Sequence, residues 1–422
     1  MRVDENGSWR SFRHRNYRIL FPANALSNIG SWAQRIAQDW LILELTNNSA
    51  TYLGLITAVQ FAPFLFLTLH GGLLADRVSK RMMLVAMNVV AGLSSLVLGL
   101  LVITETVEIW HIFACAAVLG ISNAIDAPIR QSFASEVVGH SDLANAVSLN
   151  SANFNAGRLI GPALSGFLIA HFGTGPSFLI NASSYIVINI ALLSMRKSDF
   201  FIAEKKKTNG TIREGLAYVK ARPDLYVVMI AVFFAATFGL NFQIFNALMA
   251  RGEFNKGPAS FGLLGTFIAI GSLSGALLSA RFENSRNTMF VIRTGVLFSV
   301  AVIILSVAPN YGIYAAWLPI CGFLALTMLI AANSLMQMHS DPAIRGRITG
   351  IYMLIFMGGT PFGSVAIGYL AEAIGVRESI AACGLISLVA TIGIWIYYKD
   401  KVDVPTDITV EGVLPGSYDY PR

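Results

Sequence analysis

The sequence predicts an all-α membrane protein: twelve transmembrane helices in two pseudo-symmetric six-helix bundles. Three observations predict it. Of 422 residues, 55% are hydrophobic and only 13% charged, and the mean hydropathy is +0.62; soluble domains carry about 25% charged residues. Apolar segments recur along the chain, each near the roughly 20 residues that a hydrocarbon core of about 30 Å requires. Finally, residues 196–224 hold eight Lys/Arg between two long apolar tracts. This divides the chain into a bundle over 1–195, a cytoplasmic linker over 196–224, a second bundle over 225–398 and a polar cytoplasmic tail over 399–422.

Several function classes fall away on composition and motif. In so apolar a chain, the net charge of +6 marks the cytoplasmic side of a membrane rather than a nucleic-acid partner. No GxxxxGK[ST] phosphate loop, HExxH or GxSxG occurs, so neither nucleotide-driven transport nor an enzyme is expected. Cys115, Cys321 and Cys383 lie at unrelated spacings, so no disulfide, metal or cofactor is expected. Met1–Arg18 is polar and basic, without the apolar core of a signal peptide. Placing the termini, linker and even-numbered loops in the cytoplasm puts 25 of the 30 Lys/Arg there. Only Arg251, Lys256 and Arg377 fall outside, with Arg35 and Arg158 inside spans; this is the positive-inside pattern.

Span one, about 17–44, is unusually polar. At 100° per residue Asn24, Asn28, Ser31, Arg35, Gln38 and Asp39 share one stripe. Charges at that depth face a bundle interior or a watery cavity. Arg35 and Asp39 stand at i,i+4, so an intrahelical ion pair and a cavity wall are both open, and the two coexist. Span two, about 51–75, carries Gln60 and Pro63, and a charged turn follows with Asp76, Arg77, Lys80 and Arg81. Span three, about 82–103, reads as packing. Span four, about 109–130, ends with Asp126 and Arg130 at i,i+4. Span five, about 144–171, contains Gly157, Gly161, Pro162 and Gly166, a small-residue face that lets a neighbour approach closely. Ser148, Ser151, Asn155, Arg158 and Pro162 share one side of it. Span six covers about 175–195. In the linker, Thr211 and Glu214 have capping-box spacing. Ile212, Leu216 and Val219 follow at i, i+4 and i+7, the pattern of a short amphipathic helix on the membrane surface.

The second half repeats the plan. Span seven, about 225–248, aligns Phe234, Phe238, Asn241 and Phe245, either as packing or as the wall an apolar ligand would meet. Spans eight to twelve follow at about 259–280, 288–307, 312–335, 345–371 and 376–398. The tripeptide His-Ser-Asp occurs at His140–Asp142 and again at His339–Asp341, at equivalent places in the halves, as a parallel repeat requires.

The order Gly72-x-x-x-Asp76-Arg77-x-x-x-Arg81 resembles the loop between spans two and three of the major facilitator superfamily. There the Asp and the following basic residue latch the halves on the cytoplasmic side; the acid faces a helix N-terminus, whose partial charge is positive. Asp126 is a candidate partner for Arg77 or Arg81. Gly157, Gly161, Pro162 and Gly166 resemble a motif of the superfamily's exporters and antiporters, with Ser165 in place of one glycine. In span four, Ala116 stands four residues before Gly120, where the superfamily often has a proton-coupling Arg. FRHRNYR at 12–18, Trp40–Thr46, Asp126–Phe133 and REGLAYVKARP at 213–223 are similar to the branch of enterobactin-exporter-like and multidrug-efflux-like transmembrane secretion effectors. That resemblance covers about 12–398. It implies a monomer in a bacterial inner membrane, both termini cytoplasmic, exporting small amphiphilic molecules in exchange for protons. An importer or a lysophospholipid-type flippase on the same fold is the alternative. The expected partners are a small-molecule substrate, protons and membrane lipids. By alternating access, substrate would meet Asn28, Ser31, Arg35, Gln38, Gln60, Asn155, Arg158, Phe238, Asn241 and Phe245. The gate would use Gly72, Asp76, Arg77, Arg81, Asp126, Gly157, Gly161, Pro162 and Gly166. Asp39 is the expected proton carrier: apolar surroundings favour its neutral form and Arg35 its charged form, and closure switches which prevails.

Overall fold

The structure, a computed structural model, describes residues 7–75, 79–201, 212–279, 287–341 and 344–402. Among these residues the regular structure is helical throughout, with no strand. Backbone polar groups buried in lipid must be satisfied within the segment, and helices do that locally. Ten stretches among the described residues are long and apolar enough to cross a membrane. One of them, Ile109–Phe172, has 64 residues, about 96 Å at 1.5 Å per residue, far longer than a bilayer. It turns at Gly139, whose φ of 72° is a left-handed value that glycine adopts without strain. Spans four and five are therefore two helices. Span one, Arg15–Leu45, is not among the ten because its polar stripe lowers its hydropathy. With it the spans among the described residues number twelve.

The chain divides into two compact units. The first comprises Met1–Lys205, Phe242–Ala269 and Ser364–Val376; the second comprises Lys206–Asn241, Ile270–Gly363 and Arg377–Arg422. Span seven changes unit where its helix is interrupted between Gly239 and Phe242, beyond a π-turn at Ala235–Gly239.

Within the first unit, glycine sets how closely the helices approach. A Cβ on Gly157 would lie 2.7 Å from the Cβ of Asn28, and one on Gly161 2.6 Å from the Cβ of Trp32. Gly166 meets Pro258 and Gly262, and a side chain on Gly262 would collide with the Pro162 carbonyl. The glycine face of span five therefore seats against span one and, one turn further on, against the start of span eight.

Each unit also clamps the start of its first span. In the first, Asp142 is 2% exposed and receives Arg13 Nε at 2.7 Å and His14 Nε2 at 2.7 Å. Arg10 Nε lies 3.4 Å from the same carboxylate. Ser11 donates to the Asn145 side chain from its backbone N–H and its hydroxyl. Burial pushes the Asp142 carboxyl up, but the His14 hydrogen bond and the Arg13 charge outweigh this, so it sits below the usual carboxylate range. In the second unit Asp224, just before span seven, accepts from Arg222 at 2.9 and 3.0 Å. His339 lies 3.2 Å from it. The repeated tripeptide thus uses its Asp in the first half and its His in the second.

The helix expected in the linker forms at Ile212–Ala221, with its exposed face elsewhere than the spacing implied. Tyr218 and Val219 are buried, whereas Leu216 is 44% exposed. Gly215 rests against Ile351, and Arg347 donates to Glu214 at 2.7 Å. Contact with the start of span eleven buries Val219 of the expected stripe but leaves its Leu216 exposed. Thr211 lies outside the described residues.

Candidate functional site

Span one is the axis of the first unit, and its polar stripe is resolved into distinct contacts. Asn24 accepts from Arg130 Nη1 at 2.8 Å, and Arg130 grips Asp126 with two bonds of 2.7 and 2.8 Å. Bidentate pairing of this kind neutralises both charges. Asp126 is therefore engaged by Arg130, while Arg81 donates to the Leu193 carbonyl at 2.6 Å. Asp76 and Arg77 lie outside the described residues, and Gly72 lies in the helix Ala50–Ala75. Ser31 reaches Asn181 at 3.5 Å, and Asn181 donates to Gln34 at 2.6 Å. Gln38 is buried at 1% exposure. Asn28 packs on Gly157.

The ion pair allowed by the i,i+4 spacing does not form. Asp39, 3% exposed, accepts a 2.5 Å hydrogen bond from Gln243, in the part of span seven that belongs to the first unit. The next residue, Trp40, donates to Glu44 at 2.6 Å and stacks on Phe261 at 6.1 Å. Arg251 covers Trp40 at 4.7 Å and lies 3.8 Å from Glu44. Glu372 accepts from Ser49 and from Thr51.

Arg35, released from Asp39, lies over Trp32 at 5.1 Å and over Phe61 at 5.5 Å. Arg158 of span five lies over the same indole at 5.9 Å, and Phe154 meets it edge-on at 5.8 Å. Among the described residues neither guanidinium has an acidic partner within 4.0 Å. A charge at bilayer depth costs about 2.5–3.5 kcal/mol on insertion scales, and the rings return part of that as cation–π attraction. Asn155 turns back to the Ser151 carbonyl at 2.8 Å. Gln60 is 8% exposed in a turn packed on Gly120.

The three candidates on span seven fare differently. Phe238 stacks on Phe234 at 6.2 Å, and Asn241 donates to the Thr237 carbonyl at 2.8 Å; both belong to the second unit. Phe245 is fully buried in the first unit, edge-on to Phe242. Spacing alone did not single out Trp32, Phe61 or Gln243. Trp32 was visible as an aromatic three residues before Arg35; Gln243 carried no signal, since it lies off the aromatic stripe.

The family described as transmembrane secretion effector matches residues 6–406. This chain belongs to it. It is a multi-pass transporter of the major facilitator superfamily, not an enzyme. The staphyloferrin A transporter of Staphylococcus aureus is 22% identical over 410 residues, covering 94% of this chain and 99% of the relative. The multidrug efflux pump Tap of Mycolicibacterium fortuitum is 24% identical over 381 residues, covering 87% and 91%. Among solved structures, a bacterial homologue of the human lysosomal transporter Spinster, in an inward-facing and unoccupied conformation, aligns with a TM-score of 0.73. It is 15% identical and covers 91% of this chain and 97% of its own, a likeness of fold.

Proposed function

We propose that this transporter exports small amphiphilic molecules, drug-like compounds or siderophore-like metabolites, in exchange for protons by alternating access. It would sit in a bacterial inner membrane with both termini in the cytoplasm, as the basic loops require. The relatives, an efflux pump and a siderophore transporter by name, support the substrate range. The observation that carries the coupling is the bond between Asp39 and Gln243. An acid buried in span one is held by a neutral donor from span seven rather than by its neighbour Arg35. A neutral partner leaves the carboxyl free to take or give a proton without breaking an ion pair. Movement of span seven away from span one would remove that donor and expose the acid to a different environment. Asp39 is then the proton carrier, while Arg35 and Arg158 face substrate together with the flanking Asn28, Ser31, Gln38, Gln60 and Asn155. The glycine face of span five and the loop carrying Asp76, Arg77 and Arg81 serve as gate.

The test uses everted membrane vesicles with an imposed proton gradient, acid inside. Gradient-driven dye uptake that an uncoupler abolishes is expected from the unmodified chain. Asp39→Asn is expected to lose gradient-driven uptake yet retain exchange of dye between equal concentrations. Undiminished uptake by that variant removes Asp39 from the role.

A further inference from the structure

Two arginines of the first unit show how a guanidinium charge is usually met. Arg130 is gripped by Asp126 and Arg251 lies beside Glu44. Arg35 and Arg158 instead both lie against one indole. Two like charges at one ring repel each other, and among the described residues no carboxylate lies within 4.0 Å of either. The nearest acid in sequence, Asp39, bonds to Gln243 instead. An anionic ligand would supply the direct partner that both guanidiniums lack. The rings make a second demand. Trp32 is shared by both guanidiniums, and Phe61 also lies against Arg35, so flat apolar surfaces border both donor forks.

We propose, resting on the transport reading above, that Arg35, Arg158, Trp32 and Phe61 form a site selective for planar aromatic molecules bearing acidic oxygens. A carboxylate or phenolate would accept from a guanidinium fork, the geometry that arginine matches best. The attached ring would lie against Trp32 or Phe61. Cationic amphiphiles are disfavoured, because the two arginines repel them. The site reaches charge balance when loaded with an anion, which ties substrate selectivity to charge rather than to size.

The test compares two dyes of one ring system, anionic fluorescein and cationic rhodamine 6G, binding to the purified full-length chain in detergent, read by fluorescence anisotropy. Fluorescein is expected to bind at least tenfold more tightly. Arg35→Gln and Arg158→Gln are each expected to weaken fluorescein roughly tenfold or more, the loss of a charged hydrogen bond. Rhodamine 6G should bind no worse in either variant. Trp32→Leu should weaken both dyes, since a ring surface does not distinguish charge. Where a glutamine variant does not purify as a single species, the lysine variants keep the charge. They should retain part of the preference, and raising salt from about 0.1 to 0.5 M should weaken fluorescein binding to the unmodified chain. Equal affinity for the two dyes, or fluorescein binding indifferent both to salt and to the arginine substitutions, overturns the proposal. Binding needs no gradient, so the two readings fail separately. Anion preference without dye movement counts against transport alone. Gradient-driven movement of rhodamine 6G in preference to fluorescein counts against the anion site alone.

Discussion

Gln243 decides the character of Asp39. A buried carboxyl that accepts from a neutral amide is held without a direct ion pair, whereas pairing with Arg35 would have fixed it as an anion. Replacing Gln243 by Leu leaves Asp39 without its donor, and an unsatisfied buried group costs about 1–3 kcal/mol. Gln243→Leu should therefore melt several degrees lower in detergent and slow gradient-driven uptake, with fluorescein affinity unchanged. An unaltered melting point together with unaltered uptake would show that the bond carries neither role. At this scale the sequence was half legible. Periodicity placed Asn24, Ser31, Arg35 and Asp39 on one stripe, but a stripe does not name partners. Arg130, Asn181 and Gln243, from three other spans, took three of these residues and left Arg35 free. For Phe245, alignment with Phe238 left packing and a ligand wall both open, and in this structure the ring is fully buried.

Elements were legible wherever composition and length set them, and less so where tertiary contact did. The spans follow from hydropathy, and the Gly157–Gly166 face follows from small-residue spacing. A helix forms in the linker at Ile212–Ala221, but docking buries Tyr218 and Val219 and leaves Leu216 exposed. The repeated His-Ser-Asp was visible as a spacing, yet only the fold reveals that it clamps His14 through Asp142 in one half and Asp224 through His339 in the other. Asp142 also gives an element-scale expectation. A carboxyl held below its usual value of 3.8 contributes stability that is present above that value and lost as pH falls through the lowered one. The melting difference between the unmodified chain and Asp142→Ala should thus stay level between about pH 5 and 8, then shrink as pH drops below the usual carboxylate value. A difference that varies across the neutral range would contradict this assignment.

At the scale of the molecule, two features work together. Span one carries both the two-arginine, aromatic-lined site, shared with span five, and the acid that meets span seven. Substrate and proton would thus bear on the same helix at positions one turn apart, Arg35 and Asp39. In the proposed mechanism, release of the Asp39 donor and reorientation of Arg35 would be coupled through this one helix, as exchange of one cargo for another demands. Sequence foretold the family and the twelve spans. It did not foretell that Asp39 bonds to Gln243 rather than to Arg35, because that depends on which helices touch.

The most direct measurement is of proton flux itself. The purified chain would be reconstituted into liposomes holding a trapped pH-sensitive dye, and fluorescein would be added outside with no imposed gradient. The account predicts proton movement opposite in direction to the substrate, saturating with substrate and absent in Asp39→Asn, although that variant still exchanges fluorescein. Proton movement of equal size in Asp39→Asn, or substrate movement that shifts no protons in the unmodified chain, would contradict it.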